Sequence, residues 1–181
     1  SKADVTPIVD DFDYSKEHIL VIDNGGDTIK AGFAGESAPR CVFPNLVAKN
    51  KKDGRSLLGE HYDKFCDKSN LHIKRPVERG YLVNQQLQYT IWTTLFAELK
   101  VNPSQYGLLL TLPPFTHTTI LQALYDLVFN TFNMRCLYIA TPARLVVFKW
   151  TSENTPSSCC NLVVDAGHSF THIFPFYDQS L

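Results

Sequence analysis

The first residues with a chemical role stand where an apolar run meets a turn. The run HILVID ends at Asp23 and is followed by Asn24, Gly25 and Gly26, after which TIKAGF alternates. Backbone amides in such a turn form a nest that binds phosphate, and a strand-ending carboxylate holds Mg²⁺ through water. Lys30, on the returning strand, is expected to reach a phosphate. Alone this is weak support, because the same residues make an ordinary hairpin turn.

A second copy of the pattern lies near the other end of the chain. The run NLVVD ends at Asp165, and a turn with Gly167 and His168 leads into FTHIFPFY. Two strand–Asp–turn–strand units indicate an internal repeat. They predict a phosphate site formed by both turns, with Asp23 and Asp165 as carboxylates that hold a metal through water. The repeat supports the architecture more strongly than it supports nucleotide binding.

Strands and helices between the two turns are expected to position them. The order is three strands, then helix, strand, helix, strand, helix and a closing hairpin, which predicts a mixed sheet with crossovers and flanking helices. The predicted elements are strands 18–23, 28–33, 41–48, 108–112, 134–140, 161–165 and 170–177, and helices 84–100, 120–132 and from Thr141-Pro142 through Trp150. Asn84 and one of Thr116, Thr118 and Thr119 are predicted caps.

Composition excludes several classes of protein. The 181 residues include 17 basic and 18 acidic side chains, a net charge of -1, so no global basic field attracts nucleic acid. Collagen, coiled coil and bulk disorder do not fit, and no apolar run approaches the roughly 18 residues of a membrane helix. The acidic, polar residues 1–17 are not a secretory signal; they predict a loose tail or a partner-docking arm.

Cysteines, histidines and one basic run receive structural interpretations. Five cysteines without a C-x-x-C pair predict buried thiols in a reducing compartment, rather than disulfides or a zinc site at Cys159 and Cys160. Trp92 and Trp150 are expected in the core. The run KNKKDGR is interpreted as a solvated loop rather than a nucleic-acid patch. The remaining histidines are expected on the surface or in loops: His18, His61, His72 and His117.

Longer stretches resemble a known family. VIDNGGDTIKAGFAGESAPR followed by VFPN is similar to the first phosphate loop of actin and actin-related proteins, and VVDAGHSFTHIFPFY to the second. KRPVERGYLVN, YIATP and CCNLVVDAGHSFTHIFPF are most similar to the nuclear branch found in Swr-type remodellers, which exchange a core histone for its variant. The resemblance covers residues 18–181.

The resemblance implies the actin-like (ribonuclease H-like) α/β fold, of which this chain corresponds to the N-terminal half. It implies subdomain 1 at residues 18–44 and 76–158 and a small subdomain 2 inserted at 45–75. Residues 1–17 are then an N-terminal arm, and 159–181 are the second phosphate-loop hairpin that starts the other half. The implied cofactor is ATP or ADP with Mg²⁺, held structurally; an empty cleft is the alternative.

Three positions depart from the actin pattern. Asp27 replaces a small residue of the first phosphate loop, and a carboxylate there repels phosphate unless it turns outward. Pro142 replaces the glutamine that orients the attacking water, and His168 replaces an aspartate near the metal. Asp23, Lys30, Asp165 and His172 match. The resemblance therefore implies a retained binding frame without hydrolysis.

Three functions fit the sequence to different degrees. The favoured one is a non-catalytic subunit of a nuclear remodelling complex, also allowed in the cytoplasm, with the motor ATPase, a zinc-finger HIT-type subunit and the nucleosome as expected partners, and no membrane. A filament-forming, ATP-binding actin-like protein is the alternative, disfavoured by the charged segment 49–65. A sugar or acetate kinase is disfavoured most, because the actin-like segments argue against it.

Overall fold

The computed structural model describes residues 15–154 and 160–177, which form twelve strands and four α-helices. The strands are β1 (Ile19–Asn24), β2 (Thr28–Phe33), β3 (Cys41–Pro44), β4 (Val47–Asn50), β5 (Ser56–Leu57), β6 (Leu71–Lys74), β7 (Val77–Glu78), β8 (Tyr81–Leu82), β9 (Gly107–Thr111), β10 (Leu137–Ala140), β11 (Cys160–Ala166) and β12 (Thr171–Tyr177). The helices are α1 (Gly59–Asp63), α2 (Gln85–Leu99), α3 (Thr118–Tyr125) and α4 (Pro142–Glu153).

A five-stranded mixed sheet in the order β10-β9-β1-β2-β3 forms the centre of the molecule. Strands β10, β9 and β1 are parallel, and β1, β2 and β3 are antiparallel neighbours. Because parallel strands end at one edge, Asp23 and Thr111, which are register partners, lie side by side there. The predicted mixed α/β sheet with flanking helices is confirmed.

Helix α2 covers one face of this sheet. Its N-terminus is capped as predicted by Asn84, whose side chain accepts a hydrogen bond from the amide of Leu87. Its C-terminus ends at Lys100, in the left-handed conformation. The apolar face packs Trp92 and Leu95, both fully buried, against the sheet strands and α3. Burial of such side chains contributes roughly 1.5–3 kcal/mol each.

Residues 45–75 form a separate small sheet. Strands β5, β4 and β6 pair in that order, and helix α1 and a 3₁₀ turn at Lys68–Asn70 lie between β5 and β6. The predicted third strand, 41–48, is therefore two strands in two sheets. Pro44 ends β3 at the edge of the central sheet, as its missing N–H predicts.

The closing hairpin β11–β12 packs on helix α4. Its inward side chains Phe174 and Phe176 are 5% and 3% exposed and contact Ala143 and Val147 of the helix. The sequence alone leads one to expect that these two phenylalanines lack packing when the second half of the fold is absent; this is wrong, because α4 covers that face of the hairpin. On the opposite face, Leu162, Val164 and Ile173 are exposed among the residues that the structure describes.

Several local expectations need correction. The cap of α3 is His117, whose Nδ1 accepts from the amide of Thr119, and none of the three threonines. The π-helical segment Asp126–Thr131 continues α3. Trp150 is 39% exposed on α4 and is not a core residue, whereas Trp92 is.

The cysteines and one histidine also differ from expectation. None of the four described cysteines is fully buried: Cys66 and Cys160 are exposed, and Cys41 and Cys136 are half-buried. Cys159 and residues 1–14 of the N-terminal arm lie outside the described residues. His18 is half-buried beside Tyr106. Within the described ranges, no helix combines the length and apolar character needed to cross a membrane.

A candidate phosphate-binding cleft

Both Asp-turn hairpins open into one cleft of about 460 Å³. That volume lies in the range of small-ligand sites. The cleft is lined by Asp23, Asn24, Gly25, Gly26, Asp27, Thr28, Lys30, Gly80, Thr111, Leu112, Pro113, Pro114, Pro142, Asp165, Ala166, Gly167, His168, Ser169, Phe170 and His172. All eight predicted binding residues therefore face the same space, although they are separated by up to 145 positions in sequence.

Asp23 sits at the end of β1 with both carboxylate oxygens engaged. Oδ1 accepts a 2.6 Å hydrogen bond from the Thr111 hydroxyl, and Oδ2 lies 2.9 Å from Lys30 Nζ. The side chains of Lys30 and Asp23 are 50% and 37% exposed, so water still reaches the pair. The Lys30 ammonium is thus already paired with a carboxylate, and a phosphate must compete with Asp23 for this lysine.

A buried polar network supports the first turn from below. Asn24 Nδ2 donates to Gln88 Oε1 at 3.0 Å, and the indole of Trp92 donates to Asn24 Oδ1 at 3.4 Å. Asn45 Nδ2 donates to the carbonyl of Gly25 at 2.8 Å. Gln88 and Asn45 are fully buried. These contacts hold the turn in one conformation, while Asn45 Oδ1 and Gln88 Nε2 stay buried without a partner among the described residues.

The sequence did not predict this network, although two of its members carry a signal. Asn45 belongs to the VFPN segment that carries the family resemblance, and Gln88 stands on an apolar helix face, where a glutamine needs a partner. Trp92 was predicted only as a core residue, without a polar role. Only the fold shows that all three meet at Asn24.

Arg75 clamps the same turn from the side of the inserted sheet. Its guanidinium donates to the carbonyls of Gly26 at 3.4 Å and Asp27 at 3.2 Å, and lies 2.9 Å from the Asp27 carboxylate. The charge at Asp27 is therefore balanced within the protein. Repulsion between Asp27 and phosphate, as expected from the sequence, is weakened by this partner.

The second turn is braced by aromatic contacts. The amide of Gly167 donates to the carbonyl of Phe170 at 2.9 Å, so this amide is occupied within its own turn. The Phe170 ring packs edge-on against Tyr81 and lies where a side chain at Gly80 would stand. Because Gly80 has φ +76°, both backbone conformation and space favour glycine.

The two turns approach each other closely. A Cβ added at Gly26 would lie 3.0 Å from Ser169 Oγ and 3.8 Å from His168 Cδ2. Asp165 and His172 are opposite partners on β11 and β12, both half-buried, whereas His168 is exposed. A side chain at position 26 would therefore crowd Ser169 where the second turn packs against the first.

Comparison with known proteins agrees with this arrangement. The Actin family profile matches residues 15–180. The chain belongs to the actin family. Three similar proteins, each named actin-related protein 6, are 39% identical over 166 residues in Arabidopsis thaliana, 30% over 182 in Dictyostelium discoideum and 30% over 165 in Drosophila melanogaster. These alignments cover 87%, 90% and 87% of this chain but 39%, 37% and 41% of the relatives.

The branch predicted from the sequence is confirmed by these relatives. The chain spans about two fifths of their length. Within this actin-family chain, the two Asp-turn hairpins β1–β2 and β11–β12 lie where the sequence predicted strands and turns. Assignments of binding roles to individual residues remain predictions.

One wall of this actin-family cleft carries no proton-transfer group. It consists of Thr111 and Leu112 at the end of β9, Pro113, Pro114 and Pro142 at the start of α4. The prolines have neither a side-chain donor nor an acceptor. Thr141, the helix-capping residue before Pro142, makes no capping hydrogen bond, and its buried hydroxyl lacks a partner among the described residues.

The donor set suits phosphate better than a directly bound metal. Within the described residues, no group of three or more His, Cys, Asp and Glu side chains is placed to hold an ion. Asp23 and Asp165 line the cleft, but Asp23 is already engaged by Lys30 and Thr111. The residues therefore fit contact with Mg²⁺ through water, which keeps most of its hydration shell.

Proposed function

We propose that this chain is part of a non-catalytic, actin-fold structural subunit of a nuclear chromatin-remodelling complex of the histone-variant-exchanging, Swr type. The observation that carries the proposal is its similarity, at 30–39% identity, to several proteins named actin-related protein 6. The cleft geometry supports the non-catalytic part. The nucleus is the proposed compartment, with cytoplasmic protein awaiting assembly also expected.

The proline wall of the cleft supports the absence of hydrolysis. Phosphoryl transfer to water depends on a positioned nucleophile and on charge stabilisation. Pro142 lines the cleft where the family pattern has a water-orienting glutamine. Losing such a group costs on the order of 10² to 10⁴ in rate. Pro142 also begins helix α4, so its backbone is held in place.

A nucleotide, ATP or ADP with Mg²⁺, is proposed as a structural cofactor. The phosphates would lie against Asn24, Gly25 and Gly26 on one side and the Gly167–His168 turn on the other. An unpaired Asp27 would oppose binding by roughly 4 kcal/mol at 4 Å and a dielectric of about 20. The Arg75–Asp27 ion pair offsets most of that repulsion. When bound, the nucleotide would join the two halves of the fold.

Partner binding is proposed to use segments outside the cleft. The expected partners are the motor ATPase, a zinc-finger HIT-type subunit and the nucleosome. Residues 49–55 and the acidic arm with Asp4, Asp10, Asp11 and Asp13 are the proposed contact segments. The arm residues lie outside the described structure. Deletion of the acidic arm is expected to weaken complex assembly while the core fold is retained. Residues 49 and 50 belong to β4, so for segment 49–55 charge-removing substitutions at its lysines are the matching test.

Two experiments test the proposal. Affinity purification of the full-length protein, followed by mass spectrometry, should recover the motor ATPase and the HIT-type subunit; their absence would reject complex membership. Single-turnover hydrolysis should show bound ATP with no useful turnover. Pro142→Gln should raise the rate if water orientation is the missing step, and wild-type turnover equal to that of conventional actin would reject the non-catalytic assignment.

Two charge variants test the electrostatic effect on ATP affinity independently of hydrolysis. Asp27→Gly leaves Arg75 unpaired beside the turn, so ATP affinity should rise; Arg75→Gln should lower it by leaving Asp27 unbalanced. Unchanged ATP affinity in both variants would reject the electrostatic argument but not the prediction about hydrolysis.

Sedimentation with ATP and Mg²⁺ should leave the protein in the supernatant. Pelleted filaments would favour the filament-forming alternative.

A further inference from the structure

The inserted unit carries a charge opposite to that of the remaining chain. Residues 45–75 contain eight basic and four acidic side chains, a net charge of +4. The other 150 residues contain nine basic and fourteen acidic side chains, a net charge of -5. The overall net charge of -1 hides this division. A local positive field on one small sheet is therefore a feature that the whole-chain sum does not show.

Strand register collects part of this charge on one face. Lys49 of β4 is the direct partner of His72 in β6, and Lys74 pairs with Val47 two residues further along. Side chains of opposite partners share a face, and residues two apart lie about 7 Å from each other on it. Lys51 continues the ladder, since its amide donates to the carbonyl of Asn70 at 2.9 Å.

This face points to solvent, and its lysines are not neutralised internally. Lys49, His72 and Lys74 are exposed, whereas the alternate residues Ala48 and Asn50 are buried. Among the described residues, no carboxylate pairs with Lys49, Lys51 or Lys74. Other basic residues of the unit differ: Lys52, Arg55, Lys64 and Arg75 each face an acidic partner.

Although residues 49–55 are a proposed partner-contact segment, this face lacks the apolar anchors of a protein-binding surface and the aromatic side chains that bind single strands. Protein interfaces rely on buried aromatic or large apolar anchors, and single-stranded nucleic acid is bound by aromatic stacking. On this face of β4–β6 the apolar side chain is Val47, which is half-buried against the core. Duplex nucleic acid is bound through phosphates by polar, strongly positive surfaces.

We propose that the solvent face of the β4–β5–β6 sheet, with Lys49, Lys51 and Lys74 as its cations, binds the phosphate backbone of duplex DNA without reading its sequence. The lysine spacing of about 7 Å along a strand matches a ladder of phosphates rather than a single anion. The sequence favoured a solvated loop for this region; register and missing partners change that interpretation. The surface does not depend on nucleotide in the cleft or on complex membership.

The test is fluorescence anisotropy of the full-length protein with a labelled 30-base-pair duplex of arbitrary sequence, from about 20 to 200 mM salt. Three phosphate contacts predict a slope of log K against log salt of about −2.7. The triple substitution Lys49→Gln, Lys51→Gln and Lys74→Gln should weaken binding at least about tenfold at the lowest salt. It should also lower the magnitude of the salt slope to less than about 1. Each single substitution should reduce the slope by about 0.9.

A matched control removes the same charge elsewhere. Arg135, Arg144 and Lys149 are exposed basic residues outside the inserted unit, and their triple substitution to Gln should leave the affinity within about twofold. Equal loss in both triples would overturn the proposal in favour of a net-charge effect. Stronger competition by poly-glutamate than by DNA at equal charge would overturn it in favour of an acidic protein partner. Absence of any DNA binding at 20 mM salt would overturn it outright. Because isolated protein and naked DNA are used, failure here leaves complex membership standing.

Discussion

At the scale of single residues, the cleft is governed by charges that the protein already balances. Asp23 is paired with Lys30, and Asp27 with Arg75. Both pairs are partly exposed, so each contributes little stability, about 0–1 kcal/mol. Their main effect is to occupy Lys30 and Arg75, so that neither cation is free to bind a phosphate. A phosphate entering the first turn must displace Asp23 from Lys30 or be bound by backbone amides alone.

Cys41, Cys66 and Cys136 should differ sharply in reactivity. Burial raises the pKa of the Cys41 and Cys136 thiols, and the Glu98 and Glu60 carboxylates raise that of Cys41 further. Cys66 is exposed. Because the thiolate is the nucleophile, maleimide at pH 7.5 should modify Cys66 at least about tenfold faster than Cys41 and Cys136.

Peptide mapping of native protein, sampled over time, gives each rate. The ratio of the Cys66 labelling rate to the Cys41 and Cys136 rates should fall as pH rises. A thiol with a raised pKa carries little thiolate at neutral pH and gains thiolate at higher pH. Full denaturation provides the control, because all cysteines should then react alike. Native labelling of Cys136 as fast as Cys66 would contradict the assignment.

At the scale of elements, short turns connect the two hairpins to the inserted unit. The β7–β8 turn brings Gly80 against Phe170 of the second hairpin. Asn84, beyond β8, caps helix α2, which carries Gln88 beneath the first hairpin. One segment between β6 and α2 therefore contacts both Asp-turn hairpins.

Gly80→Ala should be more destabilising than its backbone strain alone explains. The new Cβ would lie 3.0 Å from the Phe170 ring, at a residue with φ +76°. We expect a loss of about 1–3 kcal/mol in the free energy of unfolding, measured by urea denaturation. The matched control is Gly54→Ala, with φ +72° and no atom within 4 Å. Equal losses at both positions would show that the Phe170 ring does not crowd Gly80.

The 3₁₀ turn of the inserted unit should respond to acid. Hydrogen bonds from Ser69 and Asn70 and the Lys52 ammonium lower the pKa of Asp67 from 3.8 to about 2. A lowered pKa in the folded state means that the stabilisation is complete above about pH 4 and is lost as pH falls through about 2. Carboxyl-carbon NMR should place the Asp67 midpoint near 2. A midpoint near 4 would refute the network, and Asp67→Asn should abolish the signal and loosen the turn.

At the scale of the whole molecule, the two hairpins have different surroundings. The first lies within a five-stranded sheet, whereas β11 and β12 form a two-stranded sheet covered on one face by α4. Among the described residues, the open face carries Leu162, Val164 and Ile173, exposed by 66%, 58% and 63%. A two-stranded hairpin with one bare apolar face is marginal in water and prone to association.

The 181-residue chain expressed alone should therefore self-associate. Val164→Thr with Ile173→Thr, which are register partners on the open face, should shift the chain toward monomer while keeping strand propensity. Analytical ultracentrifugation measures the change. Val42→Thr with Val146→Thr, both 54% exposed and on other elements, is the control and should have little effect. A monomeric wild-type chain with a cooperative melt would contradict the expectation.

Features that depend on residues close together in the sequence could be predicted from the sequence. The Asp23–Gly26 and Asp165–His168 turns, the Asn84 cap and the Thr141-Pro142 helix start depend on neighbouring residues, so local patterns predicted them. The repeat and the alternation of strands and helices predicted a mixed sheet. Family resemblance supplied the fold name and the departures at Asp27, Pro142 and His168.

Tertiary structure decided the features that join distant residues. Arg75 is 48 positions from Asp27, and Gln88 is 64 from Asn24, so no local pattern signals either contact. Trp150 and the α3 cap were predicted wrongly, because an apolar helix face needs a partner to be buried and neighbouring polar residues compete for one capping position. The cationic face of β4–β6 was likewise hidden, since register alone places Lys49 opposite His72. A chain determines its turns through neighbours along the backbone, but it determines charge balance and burial through neighbours in space, which only the folded arrangement brings together.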